Sequence, residues 1–187
     1  MANRNSEIIL IVALEEELQE TDFPEFKIEY SGVGKINATF KTLEVINKYS
    51  PELIINYGTA GTLKEDLSGL YEVSKFFQRD MDATPLGFKI GETPYEKISD
   101  IDFGRKGLSC GSGDSFVNYL PALKTDLVDM EAYAIAKVCL LMEINFLCFK
   151  YISDNADTNS VSDWKKNISL GKTAFKDKMG KINLASI

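Results

Sequence analysis

EIILIVAL (7–14) is apolar at every position after the first and has the length of one strand. A strand with one face in water alternates polar and apolar residues, whereas an unbroken apolar run fits a strand covered on both faces. ELIINYGTAG (52–61), entered through Pro51 and ending in a Gly turn, and NFLCFKYISD (145–154) are predicted to be buried strands of the same kind. Segments with helical spacing lie between them. Ile36 to Lys48 places apolar residues at Ala38, Phe40, Leu43, Val45 and Ile46, and Ala132 to Met142 is Ala-rich. Further strands are predicted at FKIEYSGVG (26–34), LYEVSKFFQ (70–78), KGLSCGSG (106–113) and DLVDME (126–131). Residues 79–106 are predicted to form a long excursion, and Val161 to Ile187 one C-terminal helix. Strands alternating with helices predict a three-layer α/β fold. No repeat, low-complexity tract or linker interrupts the pattern, so 1–187 is expected to be a single domain.

The chain contains no histidine. Ser-His-Asp and Cys-His chemistry and His-based metal sites are therefore excluded, and acid–base work falls to Asp, Glu, Lys, Tyr or Cys. Lys plus Arg number 21 against 28 Asp plus Glu, a net charge of −7. That balance disfavours nucleic acid or an anionic membrane as partner. No apolar run approaches the ~18 residues of a spanning helix, and the polar start MANRNSE lacks the apolar centre of a signal peptide. Cys110, Cys139 and Cys148 form an odd set without C-x-x-C spacing. They are expected to be reduced, buried thiols of a cytoplasmic protein.

In covered parallel sheets, ligands bind beyond the carboxyl ends of the strands. Polar and Gly-rich segments collect there: Glu15–Glu17, Ser31–Lys35, Gly58–Gly61, Ser112–Phe116, Asp129–Glu131 and Ser153–Asp157. Their convergence predicts a pocket lined by carboxylates and backbone amides. Three local matches mislead. SGVGK (31–35) lacks phosphate-loop spacing and has Ile36 where Ser or Thr should stand, so a tight turn before a helix is expected. GLSCG (107–111) fits G-x-S-x-G, but without histidine Ser109 is expected to be an ordinary strand residue. Asp80 and Asp82 of RDMD (79–82) are too few for a metal site and are expected in a salt-bridged or interface segment.

Four stretches in order, VALEEEL (12–18), GSGDSFV (111–117), VDMEAYAIAKVC (128–139) and YISDNAD (151–157), together with SGVGKINA (31–38) and NYGTAG (56–61), resemble the nucleoside phosphorylase/nucleosidase superfamily. The resemblance is greatest to its methylthioadenosine/S-adenosylhomocysteine nucleosidase branch and covers nearly the whole chain. It implies a purine nucleoside phosphorylase-like α/β/α fold with a central mixed, mostly parallel twisted sheet. It implies that Glu17 activates the attacking water, that Glu131, with Met130 beside it, grips the ribose hydroxyls, and that Asp154, oriented by Ser153, protonates purine N7. Phe116 would stack on the base, the backbone of Val117 would read its edge, Thr59 and Ala60 would lie near the sugar, and Trp164 would close the pocket. Asp129 is expected to be structural, paired with a backbone N–H or a Lys.

These residues suit cleavage of an N-glycosidic bond, which needs a proton on the leaving base, stabilisation of an oxocarbenium-like sugar and an activated water; paired carboxylates serve glycoside cleavage generally. The expected activity is hydrolysis of a purine nucleoside, adenine-type and 5′-substituted, to free base and pentose, with no cofactor and no metal. A phosphate-dependent phosphorylase and a non-catalytic nucleoside-binding protein are the alternatives. Phosphate recognition favours Arg, of which the chain has Arg4, Arg79 and Arg105 alone. A homodimer whose pocket is bordered by the neighbouring subunit is expected from the resemblance, with the apolar loop ATPLGF (83–88) as a candidate contact.

Overall fold

The computed structural model describes residues 8–182; the polar start at 1–7 and the last residues of the predicted C-terminal helix, 183–187, lie outside them. The strands are β1 (Ile8–Val12), β2 (Lys27–Tyr30), β3 (Leu53–Thr62), β4 (Leu70–Gln78), β5 (Asp100–Asp102), β6 (Leu108–Ser112), β7 (Leu127–Asp129) and β8 (Asn145–Asp154). The helices are α1 (Lys35–Tyr49), α2 (Ala132–Leu141), α3 (Ser160–Asn167) and α4 (Lys172–Met179). The 79–106 excursion holds a short 3-10 turn at Thr84–Leu86 and the edge strand β5.

The sheet runs β2-β1-β3-β7-β6-β4-β5, with β8 pairing both β3 and β4. β8 is parallel to β3 and antiparallel to β4, so β3, β8, β4, β6 and β7 close a ring. The sheet is mixed but mostly parallel, as expected. β1 shows why its sequence is apolar throughout. Ile9 and Ile11 join the core beneath α1 and α2 with Ala38, Val45 and Ile135, while Leu10 and Val12 join the opposite core with Phe149, Phe175 and Met179. Each face removes side chains worth roughly 1.5–3 kcal/mol apiece from water.

One expectation fails. The C-terminal segment is two helices rather than one, parted at Ile168–Gly171. Gly171 passes so close to the sheet that a Cβ there would stand 2.4 Å from atoms of both Tyr57 and Tyr151. The chain turns at this contact, and α4 then lays Phe175 on Tyr57 with ring centroids 4.4 Å apart. Helical periodicity alone does not register that obstruction.

Candidate active site

The carboxyl ends of β1, β3, β7 and β8 and the loop after β6 converge on one cleft. Glu17, Thr59, Ala60, Phe116, Val117, Met130, Glu131, Ser153, Asp154 and Trp164 all line it. The ten candidate site residues read from the sequence are therefore brought together. Ala13, Leu14, Val33, Gly61, Ser115, Val128 and Asp129 also line it. Of these, Asp129 had been expected as a structural residue and Val33, Gly61 and Ser115 fall in the strand-end segments; Ala13, Leu14 and Val128 were missed because apolar residues at strand ends carry no chemical signal in a sequence.

Glu17 follows β1 and is buried. Its Oε1 accepts hydrogen bonds from the Thr59 amide at 2.7 Å and the Thr59 hydroxyl at 2.8 Å. Its Oε2 accepts from the Leu14 amide at 3.3 Å. Burial pushes the carboxyl above its ordinary range, against the opposing pull of Lys150 and the Thr59 donors. Glu131, at the entry to α2, accepts from the Gly34 amide at 2.8 Å. SGVGK is a tight turn, as expected, and it also supplies this donor, which its sequence did not announce. Burial first and the Asp129 charge second raise the Glu131 carboxyl to about 7.

Asp154 ends β8. Its Oδ2 accepts from the Ser153 hydroxyl at 2.8 Å and its Oδ1 from the Ala156 amide at 2.9 Å. Gly61 on β3 makes room for it, since a Cβ there would stand 2.7 Å from Asp154 Oδ1. The loop carrying Phe116 is pinned by Arg79, whose guanidinium donates to the carbonyls of Gly111 and Ser115. Asp80 pairs with Lys35 and accepts from the Asp114 amide, tying the same loop to α1. RDMD is thus a salt-bridged segment. Ser109 is a strand residue, hydrogen-bonded to Asp126.

Asp129 has a structural role on both expected counts. Its Oδ2 accepts from the Ala132 amide at 2.9 Å, satisfying a free N–H at the start of α2, and lies 2.8 Å from Lys150 Nζ. The paired side chains are 1% and 2% exposed. Burial alone would raise Asp129 and lower Lys150, but their mutual attraction wins, holding the acid below and the ammonium above its usual range. Lys150 also flanks Glu17: a Cβ at Gly58 would lie 3.1 Å from Nζ and 3.4 Å from Glu17 Oε1. The sequence signal for Lys150 was no more than a lone Lys in an apolar strand.

A profile of the Phosphorylase superfamily matches residues 110–179. The 5′-methylthioadenosine/S-adenosylhomocysteine nucleosidase of Shewanella pealeana is 31% identical over 166 residues, covering 74% of this chain and 72% of that protein. The chain belongs to the 5′-methylthioadenosine/S-adenosylhomocysteine nucleosidase family. Solved structures agree on the fold. A Helicobacter pylori nucleosidase mutant of this family, with 5′-methylthioadenosine in its active site, superposes with a TM-score of 0.83 at 20% identity, covering 94% of this chain and 99% of that one. The futalosine hydrolase of the same organism superposes with a TM-score of 0.82 at 21% identity, covering 94% and 97%. The fold that carries the cleft is thus the one these solved structures share.

Proposed function

We infer that this chain hydrolyses the N-glycosidic bond of purine nucleosides, and we propose an adenine-type, 5′-substituted nucleoside as its substrate. The carrying observation is that Glu17, Glu131 and Asp154 face one cleft while each is held by different donors. Glu17 takes a proton from the attacking water. Glu131, acceptor-only when ionised, takes the two donors of the ribose diol. Asp154 delivers a proton to N7 of the leaving base. Phe116 covers one face of the base, the Val117 backbone meets its edge, and Trp164 closes the far side; Met130, Ala60 and Ser153 complete the walls. Water is favoured over phosphate because the described arginines are committed elsewhere, Arg79 to loop carbonyls and Arg105 to Glu72 and the Phe146 carbonyl. The buried ammonium of Lys150 is held by Asp129. Release of adenine from 5′-methylthioadenosine, measured with and without phosphate, tests the reading. Phosphate-independent release supports it, and release that requires phosphate overturns it.

Ribose binding should depend on pH through Glu131. Its folded pKa of about 7 stands above the ordinary 4.5, so the diol-accepting anion forms as pH rises through neutrality. Affinity for a nucleoside analogue should rise by up to about tenfold per unit below pH 7 and then level off, a profile that Glu131→Gln flattens in calorimetric titration. The same sign governs stability. The raised pKa gives stability that is full below about 4.5 and lost as pH climbs to about 7. Glu131→Gln should therefore raise Tm at pH 8 while weakening binding.

We also propose a cytoplasmic homodimer. The outer faces of α1 and α2 leave Ile36 82%, Phe40 69% and Leu141 62% exposed, and Leu86 of the ATPLGF loop is 70% exposed. Large apolar side chains left this exposed are the kind of surface that interfaces cover. Light scattering should give about twice the protomer mass; 20.9 kDa would contradict it.

A further inference from the structure

We propose that Trp164 is a positioning residue for Glu17, acting through the hydroxyl of Thr59. The indole Nε1 of Trp164, on α3, lies 3.0 Å from Thr59 Oγ1. An indole N–H can only donate, so Thr59 Oγ1 must accept. The hydroxyl has a single hydrogen, and Glu17 Oε1 stands 2.8 Å away on its other side. The indole thus fixes the direction of that hydrogen, and the β-branched Thr side chain is stiff enough to hold it. Together the Thr59 amide and hydroxyl occupy Oε1. This leaves Oε2, with its longer 3.3 Å contact to the Leu14 amide, as the oxygen that takes a proton from water. Trp164 also meets Phe116 edge to face, with centroids 6.3 Å apart. The aromatic wall over the cleft is therefore linked to the orientation of the carboxylate through one hydroxyl.

The inference rests on Glu17 being the water-activating base. Removing the Thr59 hydroxyl deprives the ionised carboxylate of a hydrogen bond, and removing the indole N–H frees that hydroxyl to turn away from it; both favour the protonated form. The acid limb of the rate profile then moves to higher pH. Other charged or titratable groups around Glu17 are Lys150 and Asp154 on β8, Asp129 and Glu131 at the β7–α2 junction, Tyr57 on β3, and Glu15 and Glu16 beside it in sequence. None of them is altered by changes at Trp164 or Thr59.

The test compares pH profiles of kcat and KM with 5′-methylthioadenosine for the full chain and for Trp164→Phe, Thr59→Val, Thr59→Ser and the Trp164→Phe/Thr59→Val double variant. Trp164→Phe keeps an aromatic wall but has no N–H. It should lower kcat about 3- to 10-fold, the worth of one hydrogen bond, raise the acid limb and leave KM nearly unchanged. Thr59→Val should shift the limb the same way, and the double variant should be no worse than Thr59→Val alone. Thr59→Ser, which retains the hydroxyl, should return the acid limb toward the parent's position from that of Thr59→Val. A Trp164→Phe variant that changes KM alone with the limb unmoved, or single effects that add in the double variant, would overturn the relay. Glu17→Gln serves as the control. If it retains turnover, the assignment of Glu17 as base fails; if it is inactive while Trp164→Phe leaves the pH profile unmoved, only the relay fails.

Discussion

Asp154→Asn should lower kcat on 5′-methylthioadenosine by about 10²–10⁴-fold, the usual worth of general acid catalysis, with the fold intact. The substitution is nearly isosteric, and the asparagine carbonyl can still accept from the Ala156 amide that now meets Oδ1 at 2.9 Å. Ser153 orients the Asp154 carboxyl at this buried position. Its hydroxyl lies 2.8 Å from Asp154 Oδ2 and 3.3 Å from the Ala60 carbonyl. The single hydroxyl hydrogen can point to either acceptor. Asparagine preserves this pattern but has no proton to deliver. The loss should shrink for a synthetic riboside whose nitrophenolate leaves without protonation. Near-normal turnover of Asp154→Asn on 5′-methylthioadenosine would refute the acid assignment and direct attention to Asp157 in the same loop.

Glu17→Gln should reduce turnover by at least about 10²-fold while leaving ligand affinity largely in place. Glutamine keeps the side-chain oxygen that accepts from both Thr59 donors, so the loop stays seated. What disappears is the basic oxygen. The carboxyl is already pushed up by burial, which makes its anion a stronger base than an ordinary carboxylate. Binding of a nucleoside analogue by calorimetry, beside kcat in steady state, separates the two roles. Weak binding with normal turnover at saturation would move Glu17 from catalysis to recognition.

The strands and the layers were legible because burial on both faces leaves a mark on every residue of a strand. LYEVSKFFQ and NFLCFKYISD were predicted with the bounds they have in the structure, Leu70–Gln78 and Asn145–Asp154. The candidate site residues were legible as an ordered set of motifs at strand ends, and all of them line one cleft. Local pattern also sufficed to dismiss GLSCG, since a nucleophile elbow without histidine has no base.

Through-space contacts between residues distant in sequence had no such mark. Lys150 meets Asp129, Gly34 meets Glu131, and Trp164 meets Thr59 across 105 positions. At the break, Gly171 fits because Tyr57 and Tyr151, from two different strands, stand where a side chain would go. The sequence by itself determined which residues could carry acid–base chemistry and which strands had to be buried, because composition and periodicity are local properties. Only the tertiary structure decided which carboxylate is paired, which is left to react and which donor orients it. Those depend on distances of a few ångströms and on how far each group is removed from water, and both are set by the packed whole.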